Sequence, residues 1–406
     1  MSDRKLYVYC QLNGEDILVG YLWSHVKGRA ETSSFQYAET WLNNPKAFNI
    51  DPALYLTAGQ QYSSKPLFGV FTDCSPDRWG RVLMQRFEQT KAKEEQRVPR
   101  TLNDIDYLAL VNDEARQGAI RLKNNPENDF IFPALIKPIP PLINLPELLS
   151  AAEKITNNNE TAKDLRVLLA PGSSLGGARP KASVIDNDGD LCIAKFPKKD
   201  DIDNIVLWEA VALTLAKEAK INVPQWKIVN VLNRPVLLVK RFDRIKTKRI
   251  AFVSAMTMLS ATDGDNTYTY QNIADVIRQY SSAPKDDLTE LWKRIVFSVM
   301  ISNTDDHLRN HGFLRVDNNG WRLSPVYDVN PNPDNTGMLS TAISEGVYET
   351  NLENVLNVAE YFGLTLDKAN NIIITIKSAV SQWKQVATKI GLSSTEIHKM
   401  QIAFKG

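Results

Sequence analysis

One long helix, apolar around much of its circumference, constrains the fold of this chain more than any other sequence feature. The segment LTELWKRIVFSVMI, residues 288–301, carries apolar side chains at helical spacing. These residues are Leu288, Leu291, Trp292, Ile295, Val296, Val299 and Met300. Such a broad stripe has to be covered by other elements, and helical patterns dominate from about residue 285 onward. The sequence therefore predicts a mainly helical C-terminal part packed around this helix.

Strand patterns mark the first part of the chain. Residues 5–22 alternate apolar and polar side chains around an Asn-Gly pair, which predicts two strands joined by a tight turn. The apolar runs LCIAKF (191–196) and PVLLVKRF (235–242) have strand length, and the helical segment VLWEAVALTLAKEA (206–219) lies between them. The predicted fold class is α+β, with a mixed α/β N-terminal lobe and a mainly helical C-terminal lobe.

The length of 406 residues is too great for one compact core, so two or more lobes are expected. Five prolines between residues 131 and 150 disfavour a continuous helix or central strand and predict an extended connector, with a helix following up to Ile155. The predicted parts are an N-terminal α/β subdomain at 1–130, a second α/β part of the N-lobe at 145–245, and a helical C-lobe at 246–406.

The charge balance and the cysteines bound the class of protein. Lys and Arg number 48 against 47 Asp and Glu, so the whole chain has no basic footprint for nucleic acid, although a local patch can still exist. The three cysteines form no CxxC pair, which is typical of the reducing cytoplasm and argues against a zinc site. The polar N-terminus and the lack of a long apolar run predict a cytoplasmic protein without a membrane span.

Polar residues gather directly after the long helix, in the segment NTDDHLRN at 303–310. Asp305 and Asn310 have the spacing of a protein-kinase catalytic loop, in which an Asp accepts the proton of the substrate hydroxyl and an Asn binds Mg²⁺. Asp328 follows 18 residues later and suits a second ligand, because Mg²⁺ prefers oxygen ligands and keeps several waters. Asp and Asn also make turns and caps, but the three at these spacings favour a phosphotransferase.

A glycine- and serine-rich loop, PGSSLGGARPK at 171–181, precedes the strand LCIAKF. Flanked by strand-like segments, such a loop can offer backbone N–H groups to phosphates, although Gly-Ser loops are also common connectors. Lys195, late in the following strand, can pair with the α- and β-phosphates of ATP. Glu209, near the start of the next helix, is a candidate ion-pair partner for Lys195. The alternative interpretation is that both residues are ordinary surface charges.

Two histidines four positions apart, His307 and His311, have the spacing of metal ligands on a helix. The residues around them indicate the end of a loop instead and offer no third acidic or cysteine ligand. We predict that His307 acts in the catalytic loop, supporting Asp305 by a hydrogen bond, and that His311 has no metal role. The sequence has no GxSxG elbow, which leaves hydrolase chemistry with little support.

Six ordered motifs give the chain a resemblance to the HipA kinases, the toxin component of bacterial toxin–antitoxin pairs. They are FGVFTDCSPDRWGR at 68–81, SSLGGARPKASV at 173–184, IAKFP at 193–197, VKRFDR at 239–244, NTDDHLRNHGFL at 303–314 and LSPVYDV at 323–329. The resemblance spans almost the whole chain and implies a bilobal, protein-kinase-like fold and a Mg-ATP-dependent serine/threonine protein kinase. The segment NTDDHLRN is also similar to the catalytic loop of lipid kinases.

The resemblance implies a role for each matching residue. Asp305 is the catalytic base, Asn310 and Asp328 bind Mg²⁺, and the segment 239–242 is the hinge beside the adenine. The expected ATP-binding residues are Lys195, Ser174, Leu175, Gly176, Gly177, Lys181, Val239, Lys240 and Phe242. In the family, a serine at the start of the glycine-rich loop is autophosphorylated, which draws the loop out and switches the enzyme off.

The position that matches this regulatory serine is Ser174, with Ser173 as the neighbouring alternative. A phosphate there adds roughly −1.5 to −2 of charge where the ATP phosphates must lie, which explains the inactivation.

The resemblance also implies partners: a small helix-turn-helix antitoxin of the HipB type that binds operator DNA, and a protein substrate, which in known members is an aminoacyl-tRNA synthetase. Two alternatives stay open. The chain could be a non-catalytic or weakly catalytic component of an antitoxin–DNA complex, against which the intact Asp305, Asn310, Asp328 and Lys195 speak. It could also be a small-molecule or lipid kinase, although no basic amphipathic membrane-binding stretch is evident and no membrane partner is expected.

Overall fold

The computed structural model describes residues 4–28, 30–131, 138–172, 177–198, 201, 203–265, 267–317 and 319–405. The chain forms two compact units: Met1–Lys199 with Val229–Val253, and Asp200–Ile228 with Ser254–Gly406. The three-part division expected from the sequence stays a prediction. Within the described residues, no helix is both long and apolar enough to cross a membrane.

The first unit contains a five-stranded antiparallel sheet. Its strands are β1 (Arg4–Leu12), β2 (Glu15–Lys27), β3 (Ala30–Tyr37), β4 (Gln60–Ser63) and β5 (Ile120–Lys123). They lie side by side in the order β4-β3-β2-β1-β5. The turn between β1 and β2 is the predicted Asn-Gly hairpin: Asn13 and Gly14 have φ values of 54° and 93°, as a tight hairpin turn requires.

A second sheet contains the two predicted apolar strands. Its members are β6 (Lys181–Ile185), β7 (Leu191–Lys195), β8 (Trp226–Val231) and β9 (Arg234–Lys240), in the order β6-β7-β9-β8. The short strands β10 (Arg244–Ile245), β11 (Lys248–Arg249) and β12 (Ala251–Ser254) follow along the chain. The predictions for LCIAKF and PVLLVKRF are thereby confirmed.

The described residues of the first unit form six helices. They are α1 (Glu39–Leu42), α2 (Gly69–Asp73), α3 (Arg78–Glu94), α4 (Asp104–Leu110), α5 (Leu145–Thr156) and α6 (Ala162–Gly172), with a 3₁₀ turn at Leu142–Asn144. Helices α3, α5 and α6 share one apolar core with the second sheet. The prediction of a strand-like segment before the glycine-rich loop was wrong, because helix α6 lies there. Its apolar residues Leu165, Leu168 and Leu169 recur at helical spacing and are all buried.

The second unit is mainly helical, as predicted. Its helices are α7 (Ile205–Glu218), α8 (Ala255–Met258), α9 (Tyr270–Tyr280), α10 (Pro284–Met300), α11 (Leu352–Asn357), α12 (Leu366–Val380), α13 (Trp383–Ile390) and α14 (Ser394–Met400). Short 3₁₀ turns lie at Leu308–Asn310, Ala359–Phe362 and Gln401–Ala403, and β13 (Gly312–Asp317) forms a hairpin with β14 (Gly320–Leu323). The apolar stripe of α10 is buried against α9 and α12, so this helix leads the chain out of the core into the polar segment that follows.

Candidate active site

The segment NTDDHLRN forms a loop after α10 and ends in the turn Leu308–Asn310. The backbone N–H of His307 donates a hydrogen bond to the carbonyl oxygen of Asp305 at 3.0 Å. The side-chain amide of Asn310 donates to the same oxygen at 3.2 Å. Asp305 is exposed and Asn310 is buried. The loop thus presents the Asp305 carboxylate to solvent on a backbone that Asn310 holds in place.

The surroundings of Asp305 make its carboxylate more basic. Partial desolvation raises the pKa of Asp305 most, and the carboxylates of Asp328 and Asp306 raise it further, while the His307 ring acts in the opposite direction. A more basic carboxylate is a better proton acceptor for a hydroxyl group.

Asp306, the second acidic residue of the loop, is buried and holds the loop in place through hydrogen bonds to its carboxylate. Its Oδ2 accepts hydrogen bonds from the Tyr270 hydroxyl at 2.6 Å and from Ser298 Oγ at 3.3 Å. Burial alone would raise the pKa of Asp306, but His311 and the Tyr270 hydroxyl outweigh burial and hold the pKa below its ordinary value. Asp306 is therefore an ionised structural anchor, whereas its neighbour Asp305 faces solvent.

Residues 330–340 also form hydrogen bonds with the start of the loop. Asn303 Oδ1 accepts from the backbone N–H of Asn330 at 3.1 Å, and Thr304 Oγ1 accepts from the side-chain amide of Asn332 at 3.0 Å. The carbonyl of Thr304 accepts from the N–H of Ser340 at 2.8 Å. With both sides held, the backbone that carries Asp305 has little freedom, which is what a positioned catalytic group needs.

Asp328 has a left-handed backbone conformation, with φ at 57°. That conformation is uncommon for residues other than glycine and is found where the surrounding structure enforces it, often at functional sites. The neighbouring Tyr327 hydroxyl donates to the carbonyl of Arg309 at 2.5 Å. This bond joins the Asp328 segment to the loop 303–310, one residue before Asn310.

The two histidines have different surroundings. His307 Nδ1 is buried, and its ring makes no hydrogen bond with any residue that the structure describes. The predicted hydrogen bond from its ring to Asp305 is therefore not found among them, because this ring nitrogen is turned inward and the effect on Asp305 is electrostatic. His311 is buried, with Nε2 3.2 Å from Asp306 Oδ1 but poorly aligned for a hydrogen bond, and its ring meets Tyr270 edge-on.

In the first unit, Gly177 of the glycine-rich loop forms two hydrogen bonds with the start of α3. The N–H of Gly177 donates to the Asp77 carboxylate at 2.7 Å, and the Gly177 carbonyl accepts from the N–H of Trp79 at 3.1 Å. Gly177 has φ at 81°, and a Cβ there would lie 2.8 Å from Lys181 Nζ. Only glycine therefore fits this position without strain. The motif SPDRWGR holds the Gly177 backbone, a role that the sequence alone did not reveal.

Lys181 and Lys195 lie opposite each other on the neighbouring strands β6 and β7. Strand β9 pairs with the other edge of β7 and carries Val239 and Lys240 at its end. The first unit thus brings four of the expected ATP-binding residues onto one sheet. That these residues contact ATP stays a prediction.

The segment 239–242, the expected hinge, continues into a buried ionic cluster. The Lys240 ammonium donates to Asp190 at 2.6 Å, which raises the pKa of Lys240, and the Phe242 ring lies 6.3 Å from that of Phe252. Asp243 directly follows Phe242. Its carboxylate accepts hydrogen bonds from Arg241 at 2.5 Å and from Arg244 at 2.8 Å, and all three residues are buried. This cluster fixes the chain directly after the expected hinge.

Several expected residues cannot be placed together. Ser173, Ser174, Leu175 and Gly176 lie outside the described residues. Glu209 is buried in α7 of the second unit, whereas Lys195 belongs to the first unit, so their ion pair stays a prediction.

The donor set of the second unit fits Mg²⁺. Asp328 offers a carboxylate, and Oδ1 of Asn310 accepts no hydrogen bond from any described residue. Within the described part of the chain, no three residues of the types His, Cys, Asp and Glu gather in a cluster suited to a metal ion. A site with two protein oxygens, completed by water and phosphate, is the arrangement that Mg²⁺ commonly adopts in nucleotide enzymes.

Tyr270 and Asp306 are the site residues that sequence reasoning missed. The two consecutive Asp residues in NTDDHLRN were a sequence signal that one of them could have a structural role, which Asp306 has. Tyr270 gave no signal, because it lies 36 positions before Asp306 and helical spacing alone marks it as a core residue.

Two family models match the chain. One, described as the HipA-like C-terminal domain, matches residues 173–383, and another, described as the HipA N-terminal domain, matches residues 11–115. The first model alone covers more than half of the 406 residues.

Relatives and a solved structure agree with these matches. A candidate kinase of Haemophilus influenzae is 24% identical over 189 residues, which are 40% of this chain and 54% of that protein. The candidate kinase Y4mE of Sinorhizobium fredii is 25% identical over 181 residues, covering 38% of this chain and 41% of that protein. The chain thus spans about half the length, or less, of these curated relatives.

The solved structure is that of HipA with HipB and operator DNA from Shewanella oneidensis MR-1. It matches with a TM-score of 0.63 and 16% identity, over 98% of this chain and 94% of that one. At this identity the likeness concerns the fold, and it confirms the predicted kinase-like α+β class.

Proposed function

The chain belongs to the HipA family, and on this premise we propose that it is a Mg-ATP-dependent kinase that phosphorylates a serine or threonine hydroxyl of a protein. The observation that carries the proposal is the hydrogen bond from the Asn310 amide to the Asp305 carbonyl, beside the charge of Asp328. One loop and the segment after it thereby combine a proton acceptor with two oxygen ligands, which is the set that phosphoryl transfer needs.

In the proposed reaction Asp305 accepts the proton of the attacking hydroxyl. The hydroxyl oxygen forms a bond to the γ-phosphorus, the bond from that phosphorus to the bridging oxygen breaks, and ADP leaves with the bonding electrons. Mg-ATP, when bound, supplies the phosphoryl group and neutralises part of its charge. The raised pKa of Asp305 favours the proton transfer, and its exposure lets a hydroxyl on another protein reach it.

The first unit supplies the nucleotide contacts in this proposal. Lys181 and Lys195 contact the phosphates, and Gly177 contributes the backbone of the glycine-rich loop. The opposed placement of the two lysines and the close approach of Lys181 Nζ to Gly177 support these assignments. The hinge segment 239–242 faces the adenine in the same proposal.

Regulation and partners complete the proposal. Autophosphorylation at Ser174, or at Ser173 if the register differs by one, switches the kinase off. A small helix-turn-helix antitoxin of the HipB type binds the chain in the cytoplasm and links it to operator DNA. The match to a HipA–HipB–DNA complex supports this partner, and co-purification of the chain with the product of a neighbouring helix-turn-helix gene tests it.

Transfer of labelled γ-phosphate to a panel of acceptors tests the proposed reaction. The panel contains an aminoacyl-tRNA synthetase, phosphoinositide vesicles and a hexose. We expect Asp305→Asn to abolish transfer to the protein acceptor. Asp367→Asn changes an exposed carboxylate of the same unit, outside the segments that hold the loop, and should leave transfer unchanged. Transfer only to lipid or sugar would assign the site to a small-molecule kinase, and equal transfer by Asp305→Asn would remove the base assignment.

A further inference from the structure

The outward face of the five-stranded sheet in the first unit is aromatic. Along β1, Leu6, Val8 and Cys10 point into the core and are fully buried. The residues between them, Tyr7 and Tyr9, point outward and remain partly exposed. A solvent-facing sheet surface normally carries polar side chains, so this face departs from the usual pattern.

The outward rings of this sheet face form two groups of contacting rings. The strand register places Tyr7 opposite Tyr21. Their ring centroids lie 5.5 Å apart, and those of Tyr21 and Trp23 lie 5.9 Å apart. At the other end Tyr9 lies 5.4 Å from Phe130. We call these five partly exposed rings the aromatic platform.

Two lysines stand among the rings of the aromatic platform. Lys5 Nζ lies 4.3 Å from the ring centroid of Tyr21 and 4.7 Å from that of Tyr7. Lys123 lies opposite Tyr7 in the register of β1 and β5, with Nζ 4.8 Å from the Phe130 centroid. Neither lysine forms an ion pair with any residue that the structure describes. Their charges are therefore available to an external anion.

One further cation at the platform, Arg121, is already paired. It covers the Phe130 ring and bonds to both Asp16 and Asp113, each at 2.6 Å. The exposed carboxylates of Glu127 and Asp129 lie in the segment directly before Phe130. Among the cations at the rings, Lys5 and Lys123 are those without an ion pair to a described residue. Beyond β2, the polar Gln36 lies opposite Tyr21 and its side chain makes no hydrogen bond within the described part of the chain.

We propose that the aromatic platform binds single-stranded RNA. In this proposal Lys5 and Lys123 leave the ring faces that they cover and meet the phosphates, while bases stack on the tyrosine and tryptophan rings. The free amide of Gln36 can bond to a ribose 2′-hydroxyl or a base edge, which favours RNA over DNA. This inference is independent of the proposed kinase activity.

Fluorescence anisotropy with a labelled RNA of about twelve nucleotides tests the inference, since sheet-borne sites span a few to about sixteen nucleotides. The full chain is titrated in parallel against DNA of the same sequence and against duplex DNA. We expect the RNA to bind most tightly. The double variant Tyr7→Leu with Tyr21→Leu keeps apolar bulk but removes the stacking rings, and should weaken binding at least about five-fold.

The lysines have a matched control. Lys5→Ala should weaken binding and lower the salt dependence, by about 0.7 in the log–log slope for each phosphate that the variant no longer neutralises. Lys384→Ala also removes an exposed lysine over an aromatic ring, that of Trp383 at 5.4 Å, but in the second unit. It should leave RNA binding unchanged. Circular dichroism establishes that each variant is folded.

Ultraviolet crosslinking of the bound RNA, followed by mass spectrometry, gives a second readout that does not rely on variants. Crosslinks to peptides of β1 and β2 support the inference. Crosslinks confined to other segments, a preference for duplex DNA, or equal affinity in the tyrosine double variant would each overturn it. So would a dimer in sedimentation that the same double variant dissociates, because the platform would then be the contact between two copies.

Discussion

The side-chain amide of Asn310 donates a hydrogen bond to the backbone carbonyl of Asp305 at 3.2 Å. This bond leaves the Asp305 carboxylate and the Asn310 oxygen without hydrogen bonds from the described residues. One hydrogen bond therefore links the proposed catalytic base, Asp305, to a proposed Mg²⁺ ligand, Asn310.

Replacing Asn310 with Ala tests this relationship. The change removes both the bond to the Asp305 backbone and a proposed Mg²⁺ ligand, so we expect phosphoryl transfer to fall about 100-fold or more. The free energy of unfolding should change by only about 1 kcal/mol. Single-turnover transfer and urea denaturation measure the two quantities. Asn125→Ala, in an exposed turn of the first unit, is the control and should alter neither.

Removing the Tyr270 hydroxyl should make the loop 303–310 less stable. Tyr270→Phe takes a donor from the buried, ionised Asp306, and we expect a loss of about 1.5–3 kcal/mol in the free energy of unfolding. Tyr361→Phe is the matched control, because the Tyr361 hydroxyl bonds to the exposed Asp275 at 2.7 Å. Its loss should stay below about 0.5 kcal/mol. Equal losses in the two variants would contradict the anchoring role of Asp306.

The ionic cluster after the hinge should contribute strongly to acid sensitivity. Burial tends to raise the pKa of Asp243, but Arg241 and Arg244 dominate and hold it far below the ordinary value. A depressed carboxyl pKa stabilises the fold above the unfolded value, near 4, and this stability is lost as the pH falls below it. Asp243→Asn should cost about 3 kcal/mol or more at pH 7, because it leaves two buried guanidinium groups without their counter-charge.

Urea unfolding across the acid range measures this effect. Glu94→Gln breaks the exposed pair with Arg166 and serves as the control, with an expected cost below about 1 kcal/mol. A cost for Asp243→Asn no larger than that of the control would refute the role given to the cluster.

Asp51 should have the opposite pH dependence. Burial raises its pKa to about 6, although the backbone N–H groups of Val70 and Ala53 donate to it. Since the folded pKa exceeds the unfolded one, the folded state holds the proton more tightly. Stability from this group is therefore lost as the pH rises from about 4 to about 6, by up to about 3 kcal/mol.

Comparison with Asp51→Asn isolates that contribution. Between pH 4.5 and pH 7, the difference in unfolding free energy should move in favour of the variant by roughly 2 kcal/mol. A difference that does not change with pH would show that Asp51 titrates alike in the folded and unfolded chain.

Local patterns in the sequence predicted much of the fold. The Asn-Gly hairpin, the apolar strands β7 and β9 and the buried helix α10 all depend on periodicity within a short segment, and the structure has them where they were expected. Helix α6 was missed because its apolar residues end at Pro171 and the glycines after it, a composition that suggested a loop between strands. Short apolar runs beside glycine and proline do not distinguish a helix from a strand.

The candidate site was predictable only in part. Asp305, Asn310 and Asp328 could be identified because their spacing along the chain carries the chemistry. Contacts such as Tyr270 with Asp306, or Asp77 with Gly177, join residues 36 and 100 positions apart, and no local pattern encodes them. The aromatic platform was hidden for the same reason, since its cross-strand neighbours exist only once the sheet register is known.

Intact-mass analysis of the purified chain, before and after incubation with Mg-ATP, tests the central claim most directly. We predict a gain of one phosphoryl group on Ser174 in the wild-type chain, and no gain in Asp305→Asn. A wild-type chain that starts unmodified and gains no phosphate, or an Asp305→Asn chain that gains it equally, would contradict the assignment of this site as a kinase centre.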